Sequence, residues 1–188
     1  TNVEEVDEAI RLLDRSILEL GEEGIKVERP KVGVMIEVPA TIYQMDALAK
    51  RVDFFSVGSN DLTQYLLAVD RNNPRVSSLY DALHPALLGA LQELAQDAKR
   101  LNKPISLCGE LAGDPAGALL LMAMGFTSLS MNAPSLPKVR AAIRRVTLAD
   151  AQTLLKEIMR LDTPALVHEH LNKRLDEWQL SHLLPPRD

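Results

Sequence analysis

The stretch Asp53-Phe-Phe-Ser-Val-Gly-Ser-Asn-Asp-Leu62 decides the fold of this chain. Its first half is a short apolar run of the kind that forms a buried strand, and that run ends at Gly58. Polar residues follow at once and lead into a segment with helical periodicity. A buried strand that passes directly into a helix is typical of a βαβ unit, whose strand ends carry the functional side chains.

Three other runs share this design, and the four together predict a parallel sheet. The predicted strands lie near residues 32–37, 53–58, 104–108 and 128–131. Helical periodicity separates and follows them, at residues 41–50, 62–68, 85–101, 115–124 and 136–145. We therefore expect an α/β fold of βαβ units, which amounts to half of an eightfold barrel or to a small open sheet.

Helices are also predicted outside these units. Apolar residues at spacings of three and four between Val3 and Leu20 predict an amphipathic helix, and residues 148–160 and 164–178 predict two more. We divide this single fragment into a leading helix and linker (1–30), four βα units (31–146) and C-terminal helices with a tail (147–188). Because the helical pattern opens at Thr1, we expect a piece of a longer protein. We also expect its sheet edges to be covered by these helices or by self-association.

Composition and charge exclude several classes of protein. The 188 residues are 46% hydrophobic and 25% charged, with a formal net charge of -5, which argues against broad binding of nucleic acid. No apolar run reaches the roughly 20 residues that span a bilayer, and no signal peptide is evident. Cys108 is the single cysteine, so an internal disulfide is excluded. We expect a soluble cytoplasmic protein that does not bind membranes.

Two carboxylates stand at the ends of predicted strands. Glu37 follows the first strand and Asp61 follows the second. Adjacent strands lie about 4.8 Å apart, so both can reach one cation if these strands are neighbours. Carboxylates without a histidine or thiolate favour Mg²⁺ or Mn²⁺, with water and a phosphorylated substrate completing the shell. The alternative is that Asp61 caps the helix near Leu62 and that Glu37 is a solvated strand end.

Three further residues extend this candidate site. Arg71 lies in the long connection 69–84 and can fork onto phosphate oxygens, and Asn60 can donate to the same anion. Cys108 ends the third strand, where a thiol, mostly protonated at neutral pH, can serve as a proton donor or a nucleophile. The alternatives are an ion pair between Arg71 and Asp70 and an inert, buried cysteine.

Four stretches of the chain carry a resemblance to one known family. They are Gly33-Val-Met-Ile-Glu-Val-Pro-Ala40, Asp53-Phe-Phe-Ser-Val-Gly-Ser-Asn-Asp-Leu-Thr-Gln-Tyr65, Ala68-Val-Asp-Arg71 and Cys108-Gly-Glu-Leu-Ala-Gly-Asp114. They resemble the phosphoenolpyruvate-binding domain of enzyme I, the phosphoenolpyruvate-protein phosphotransferase of the bacterial sugar phosphotransferase system. Two shorter stretches, Arg71-Asn-Asn73 and Ser128-Leu-Ser-Met-Asn132, look more like the nitrogen-branch paralogue.

This resemblance implies a fold, a reaction and partners. The chain would hold the last four strands of a (β/α)8 TIM-type barrel, and its C-terminal helices would form a homodimer. Glu37 and Asp61 would hold Mg²⁺, Asn60, Asp61 and Arg71 would bind the substrate, and Cys108 would protonate the enolate to give pyruvate. The phosphoryl group of phosphoenolpyruvate would pass to a histidine on a separate domain of the same protein, and then to a histidine phosphocarrier protein.

The chain also departs from the family pattern. Ser59 stands where threonine is expected, and none of the four histidines lies in a motif that matches the phosphorylated one. The first half of the barrel, with its further arginines, and the phosphohistidine domain have no counterpart in these residues, so we expect the fragment alone to be inactive. Two alternatives stay open: the barrel of a pyruvate phosphate dikinase or phosphoenolpyruvate synthase, and a non-catalytic module for dimerisation or regulation.

Overall fold

The computed structural model describes residues 2–183, and its centre is a parallel sheet of four strands. Each strand pairs with the one that follows it in the sequence, so the order in the sheet is the order in the chain. This singly wound arrangement confirms the predicted α/β fold and is consistent with a section of a TIM-type barrel. The strands are β1 (Gly33–Ile36), β2 (Phe54–Gly58), β3 (Ile105–Cys108) and β4 (Ser128–Ser130).

Helices connect the strands and extend the chain beyond them. Three short 3₁₀ turns also occur, at Ser77–Leu79, Ala133–Ser135 and Ser181–Leu183. The α-helices are α1 (Val3–Glu22), α2 (Pro39–Ile42), α3 (Met45–Ala49), α4 (Ser59–Leu67), α5 (Pro85–Arg100), α6 (Glu110–Gly113), α7 (Pro115–Met124), α8 (Leu136–Arg145), α9 (Leu148–Ile158) and α10 (Pro164–Glu177). None of the helices within residues 2–183 is both long and apolar enough to cross a bilayer.

The predicted helix at 41–50 is wrong in one respect, because the structure has two short helices there. The first begins at Pro39, whose fixed φ suits the first turn of a helix, and the second begins at Met45. The buried residues Ile42, Met45 and Ala49 keep helical spacing across the break. The apolar pattern therefore continues while the backbone hydrogen bonds do not, which is why the sequence predicted one helix.

The core lies between the sheet and the helices that follow its strands. Phe55, Val57 and Leu107 of the inner strands are fully buried. Helix α7 is apolar on nearly every side because it packs between α6 and the C-terminal helix α9. Helix α9 in turn packs against α10, so the two C-terminal helices bury one face each against their own chain.

Helix α1 is attached more loosely. None of its side chains is buried, and only Val3 and Val6 pack against the core. An ion pair between Asp7 and Arg51 ties it to the segment after α3. The expected covering of the sheet edges by this helix is thus slight, and self-association stays a prediction. The predicted tail is residues 183–188; Leu183 belongs to the last 3₁₀ turn, and residues 184–188 lie outside the described residues.

Candidate functional site

The carboxyl ends of three adjacent strands meet at one edge of the sheet. Ile36 of β1 is in register with Val57 of β2, and Gly58 is in register with Cys108 of β3. The condition on which the sequence-based site depended, that these strands are neighbours, is therefore met. Glu37 follows the first strand, α4 begins directly after the second, and Cys108 ends the third.

Glu37 lies across the end of β2. A Cβ atom placed on Gly58 would come within 2.9 Å of the Glu37 Oε2 atom and 3.1 Å of its Cβ. A glycine at this position therefore leaves the space that the carboxylate occupies. Glu37 accordingly projects toward the second strand end and not away from the sheet.

Asp61 sits in the first turn of α4, which begins at Ser59 and thus earlier than predicted. The structure shows no side-chain capping hydrogen bond at this helix start, so the alternative role of Asp61 as a cap is wrong. Its Oδ1 atom instead lies 3.4 Å from Nη2 of Arg71, and 43% of the Asp61 side chain is exposed. The carboxylate keeps room for a further ligand.

Arg71 reaches this carboxylate because the chain reverses after α4. Ala68 ends the helix in the left-handed conformation, with φ of 54°, and the Arg71 amide then donates to Gln64 Oε1 at 3.2 Å. Asp70 accepts from the amide of Asn72 instead, so the alternative pairing of Arg71 with Asp70 is wrong. The Nη1 atom of Arg71 is buried and has no hydrogen-bond partner in the described structure. A buried guanidinium nitrogen without a partner is costly, and an anion would satisfy it.

Asn60 is held by the turn after β3. Its Oδ1 atom accepts a hydrogen bond of 3.1 Å from the Glu110 amide. Gly109 makes this approach possible, because its φ of 131° is unfavourable for other residues and a Cβ there would lie 2.8 Å from Asn60 Oδ1. The hydroxyl of Ser59 adds a hydrogen bond of 3.0 Å to the Cys108 carbonyl. The second and third strand ends are thereby locked together.

Cys108 is partly exposed at this junction, unlike the inert, buried cysteine of the alternative interpretation. Its Sγ atom lies 3.5 Å from the carbonyl oxygen of Val57, to which the thiol donates. The thiol therefore faces the end of β2, which leads directly into the first turn of α4 with Asn60 and Asp61.

Tyr80 belongs to this site although the sequence analysis did not identify it. Its hydroxyl donates to the main-chain oxygen of Asn60 at 3.3 Å. Burial raises the pKa of Tyr80, with Thr63 and Arg71 acting in the opposite direction. The residue lies in the same 69–84 connection as Arg71, but no motif distinguishes Tyr80 within it.

A cavity of about 570 Å³ adjoins the site on the side of β4. Its lining includes Asn60 and Glu110 from the two strand ends and Lys138 of α8. Asp114, which also lines the cavity, caps α7 by accepting from the Gly117 amide at 2.7 Å, and burial raises the pKa of this carboxyl. The cavity lining does not include Glu37, Asp61, Arg71 or Cys108.

The donor set suits a hard divalent cation with few protein ligands. Within residues 2–183, no three histidine, cysteine or acidic side chains converge as a ready metal cluster. Glu37 and Asp61 supply oxygen donors only, at two neighbouring strand ends, and the space left by Gly58 accommodates one of them. Mg²⁺ commonly keeps water and substrate oxygens in its shell, so two carboxylates fit such an ion.

Comparison with known proteins agrees with this geometry. A 157-residue stretch is 48% identical to the "Phosphoenolpyruvate-dependent phosphotransferase system" protein of Salmonella typhimurium, covering 83% of this chain and 21% of that protein. The phosphoenolpyruvate-protein phosphotransferase of Haemophilus influenzae is 40% identical over 181 residues, which is 96% of this chain and 32% of that protein. The corresponding protein of Haloferax volcanii is 39% identical over 171 residues, or 91% and 30% of the two chains.

The chain thus spans between a fifth and a third of the length of these curated relatives. The family described as "PEP-utilising enzyme, PEP-binding domain" matches residues 1–148. That match includes all four strands and every predicted site residue. The chain belongs to the family of phosphoenolpyruvate-utilising enzymes, and the matched residues are part of its phosphoenolpyruvate-binding domain.

Proposed function

We propose that this chain is the phosphoenolpyruvate-binding part of a protein phosphotransferase. The phosphoryl group passes to a histidine on another domain of the same protein and then to a histidine phosphocarrier protein, and pyruvate is released. One observation carries this proposal: the Arg71 guanidinium beside Asp61, the carboxylate of Glu37 and the thiol of Cys108 are all placed at the carboxyl ends of three adjacent strands. The names of the relatives, which include multiphosphoryl transfer proteins, support the same reaction class.

Glu37 and Asp61 are the proposed ligands of Mg²⁺, with Mn²⁺ as a substitute. Such an ion would neutralise charge on the phosphoryl oxygens during transfer. The exposed fraction of Asp61 and its place in the first turn of α4 leave the carboxylate accessible to the ion. Arg71, beside this carboxylate, keeps a further donor for the substrate, because its buried Nη1 atom has no hydrogen-bond partner among the described residues.

Arg71 and Asn60 are the proposed phosphate ligands. The guanidinium supplies a fixed fork of donors, and the amide of Asn60 is oriented by the hydrogen bond from Glu110. The amino end of α4 adds the positive end of a helix dipole to the same location. Groups fixed in this way stabilise the charge on the transferring phosphoryl group without further reorganisation.

Cys108 is the proposed proton donor. When the bond between phosphorus and the enol oxygen breaks, the phosphoryl group goes to the histidine nitrogen. The electron pair left on oxygen forms the carbonyl of pyruvate, and the methylene carbon takes the proton from Sγ. The resulting thiolate regains a proton from water. The thiol is suited to this step because it is partly exposed at the strand end where the substrate would lie.

The two alternatives have less support. A pyruvate phosphate dikinase or phosphoenolpyruvate synthase would use a similar carboxylate and thiol arrangement, but the relatives named above are phosphotransferases. A non-catalytic module would not need Gly58 and Gly109 at the two positions where a Cβ would collide with site residues. We therefore favour catalysis.

Dimerisation and a cytoplasmic location are part of the proposal. Helices α9 and α10 bury one face against their own chain, while Leu148, Met159 and Leu166 remain exposed at 52%, 39% and 47%. These residues give a second copy an apolar surface to contact. The free thiol of Cys108 suits a reducing compartment.

Replacement of Arg71 tests the proposed function. In the full-length protein that contains this chain, Arg71→Ala should raise the KM for phosphoenolpyruvate and lower kcat/KM by about 10²-fold or more, because a phosphate ligand is lost. Arg75→Ala is the matched control, since Arg75 lies in the same connection with an exposed side chain. Equal pyruvate release by both variants, or release by neither variant nor the wild type, would contradict the proposal.

A further inference from the structure

A pair of titratable side chains joins the loop of the candidate site to the C-terminal helix. The Nε2 atom of His168, on α10, lies 2.8 Å from the Oδ2 atom of Asp81. These residues are 87 positions apart in the sequence, and we call this contact the clasp. Three-quarters of the Asp81 side chain is buried, since its exposed fraction is 25%.

The clasp fixes the end of the connection that carries Arg71 and Tyr80. While one oxygen of Asp81 contacts His168, the other accepts a hydrogen bond of 2.8 Å from the Leu83 amide. The carboxylate thus holds its own turn and the helix together. The preceding residue, Tyr80, donates a hydrogen bond to the carbonyl of Asn60 in the candidate site. The residue next to Asp81 in the sequence therefore contacts the site directly.

Two further titratable groups interact electrostatically with the clasp. One is His84, which acts on Asp81 and whose Nδ1 atom accepts from the Ala86 amide at the start of α5. The other is Asp114, the capping residue of α7, which acts on His168. Burial opposes ionisation of Asp81, but the hydrogen bonds from His168 and the Leu83 amide outweigh it and lower the pKa of this carboxyl.

The same contact acts on the histidine in the opposite direction. The hydrogen bond to Asp81 raises the pKa of His168 above its ordinary 6.5, and burial opposes this rise. A histidine whose pKa is raised on folding contributes its full stabilisation of the fold at a pH below its ordinary pKa. That stabilisation is lost as the pH rises through the raised pKa. Asp81 loses its contribution only when the pH falls through its lowered pKa. Between these limits the clasp is an ion pair, and above them it keeps only a neutral hydrogen bond.

We propose that His168 is a positioning residue for phosphoenolpyruvate binding, which it supports through Asp81 and Tyr80 by holding the 69–84 connection against the site. This inference rests on the proposed function, because the ligand whose affinity it sets is the proposed substrate. A charged histidine keeps the 69–84 connection packed against the site. The hydrogen bond from Tyr80 to the Asn60 carbonyl and the ion pair between Arg71 and Asp61 are then maintained. A weakened clasp raises KM and leaves kcat nearly unchanged, because only the placement of binding groups is affected.

The chain offers a matched control on the same helix. His170 also lies on α10, and its Nε2 atom is likewise 2.8 Å from a carboxylate oxygen, that of Glu157. Glu157 belongs to α9, so this second pair joins two C-terminal helices and does not touch the 69–84 connection. Loss of His170 removes a contact between histidine and carboxylate of the same length without removing the clasp.

The test compares His168→Ala with His170→Ala in the full-length protein. His168→Ala should raise the KM for phosphoenolpyruvate about two- to fivefold at pH 6.5, the range that a partly exposed ion pair supports, with kcat close to wild type. The wild-type KM should rise as the pH increases toward 9, whereas the KM of His168→Ala should not follow that rise. His170→Ala should keep both the wild-type KM and its pH dependence.

Hydrogen exchange gives a second measurement that does not depend on turnover. Amides of residues 70–83 should exchange faster in His168→Ala than in wild type or His170→Ala. Combining His168→Ala with Tyr80→Phe should raise KM less than the product of the two single effects, because both act on one contact. Equal exchange of this segment in the two histidine variants, or an unchanged KM in an active His168→Ala, would overturn the inference. An inactive wild type would instead overturn the proposed function.

Discussion

The carboxyl edge of the sheet, which carries the site, differs from the interface between α7 and α9 in the polarity and burial of its side chains. Around α7, nearly every side chain is apolar and buried, and Leu119 and Leu154 are fully enclosed. At the carboxyl edge, Asp61 is partly exposed, and a buried nitrogen of Arg71 has no hydrogen-bond partner within residues 2–183. The side chains around α7 pack against other side chains of the same chain. The polar groups at the carboxyl edge are left available to a ligand. Substitutions in the two regions should therefore separate stability from turnover.

The largest effect should come from Cys108 at the carboxyl edge. In the full-length protein, Cys108→Ala should lower pyruvate formation by about 10²- to 10⁴-fold, the range of a lost general acid, and should retain binding of phosphoenolpyruvate. Thermal unfolding should change little, since the thiol is partly exposed. Pyruvate release and unfolding are measured on the same preparation. Near-normal release by Cys108→Ala would remove the cysteine from the reaction.

Leu119 on α7 should show the reverse behaviour. Leu119→Ala should lower the free energy of unfolding by about 2 to 5 kcal/mol, because a fully buried side chain leaves a cavity. At a temperature where the variant is still folded, its KM for phosphoenolpyruvate should match wild type. Leu148→Ala is the control, since that side chain is 52% exposed and its removal should lower the free energy of unfolding far less. A stable Leu119→Ala would show that α7 is not part of a tightly packed core.

Substitution of Gly109 should lower both the free energy of unfolding and the affinity for the substrate, each by a smaller amount. Gly109→Ala forces a side chain into a backbone with φ of 131° and toward Asn60, so we expect a loss of about 1 to 3 kcal/mol in unfolding free energy and weaker substrate binding. Gly89 of α5 is the control, because a Cβ there meets nothing within 4 Å. Gly89→Ala should stabilise the helix by about 0.5 to 1 kcal/mol. If the free energy of unfolding rose in Gly109→Ala as it does in Gly89→Ala, the packing described for Gly109 would be wrong.

Much of this architecture was predictable because local signals agreed with the packing. The bounds of α7 follow from Pro115 at its first turn and Gly125, which ends it with φ of 103°. The polar residues after the strands predicted which side chains would stand at one edge of the sheet, because parallel strands present their carboxyl ends on the same side. The placement of Glu37, Asp61 and Cys108 at this edge followed from the periodicity and the order of strands, whereas their roles stay a prediction.

Long-range contacts were not predictable in the same way. The contact of Tyr80 with Asn60 spans 20 residues and the clasp spans 87, and neither leaves a periodic signal. The pairing of Arg71 with Asp61 depends on the left-handed turn at Ala68, a conformation that alanine rarely adopts. Such contacts depend on how helices are placed on the sheet, which residue spacing alone does not specify.

The most direct test of the site is a crystal structure of the full-length protein with Mn²⁺ and phosphoenolpyruvate. We expect an anomalous manganese peak coordinated by Glu37 and Asp61, with the phosphate against Arg71 and Asn60 and the methylene carbon facing the Cys108 thiol. Glu37→Gln should abolish the peak. A manganese ion bound elsewhere, or phosphoenolpyruvate in the cavity beside Lys138 with Glu37 and Asp61 free of metal, would contradict this expectation.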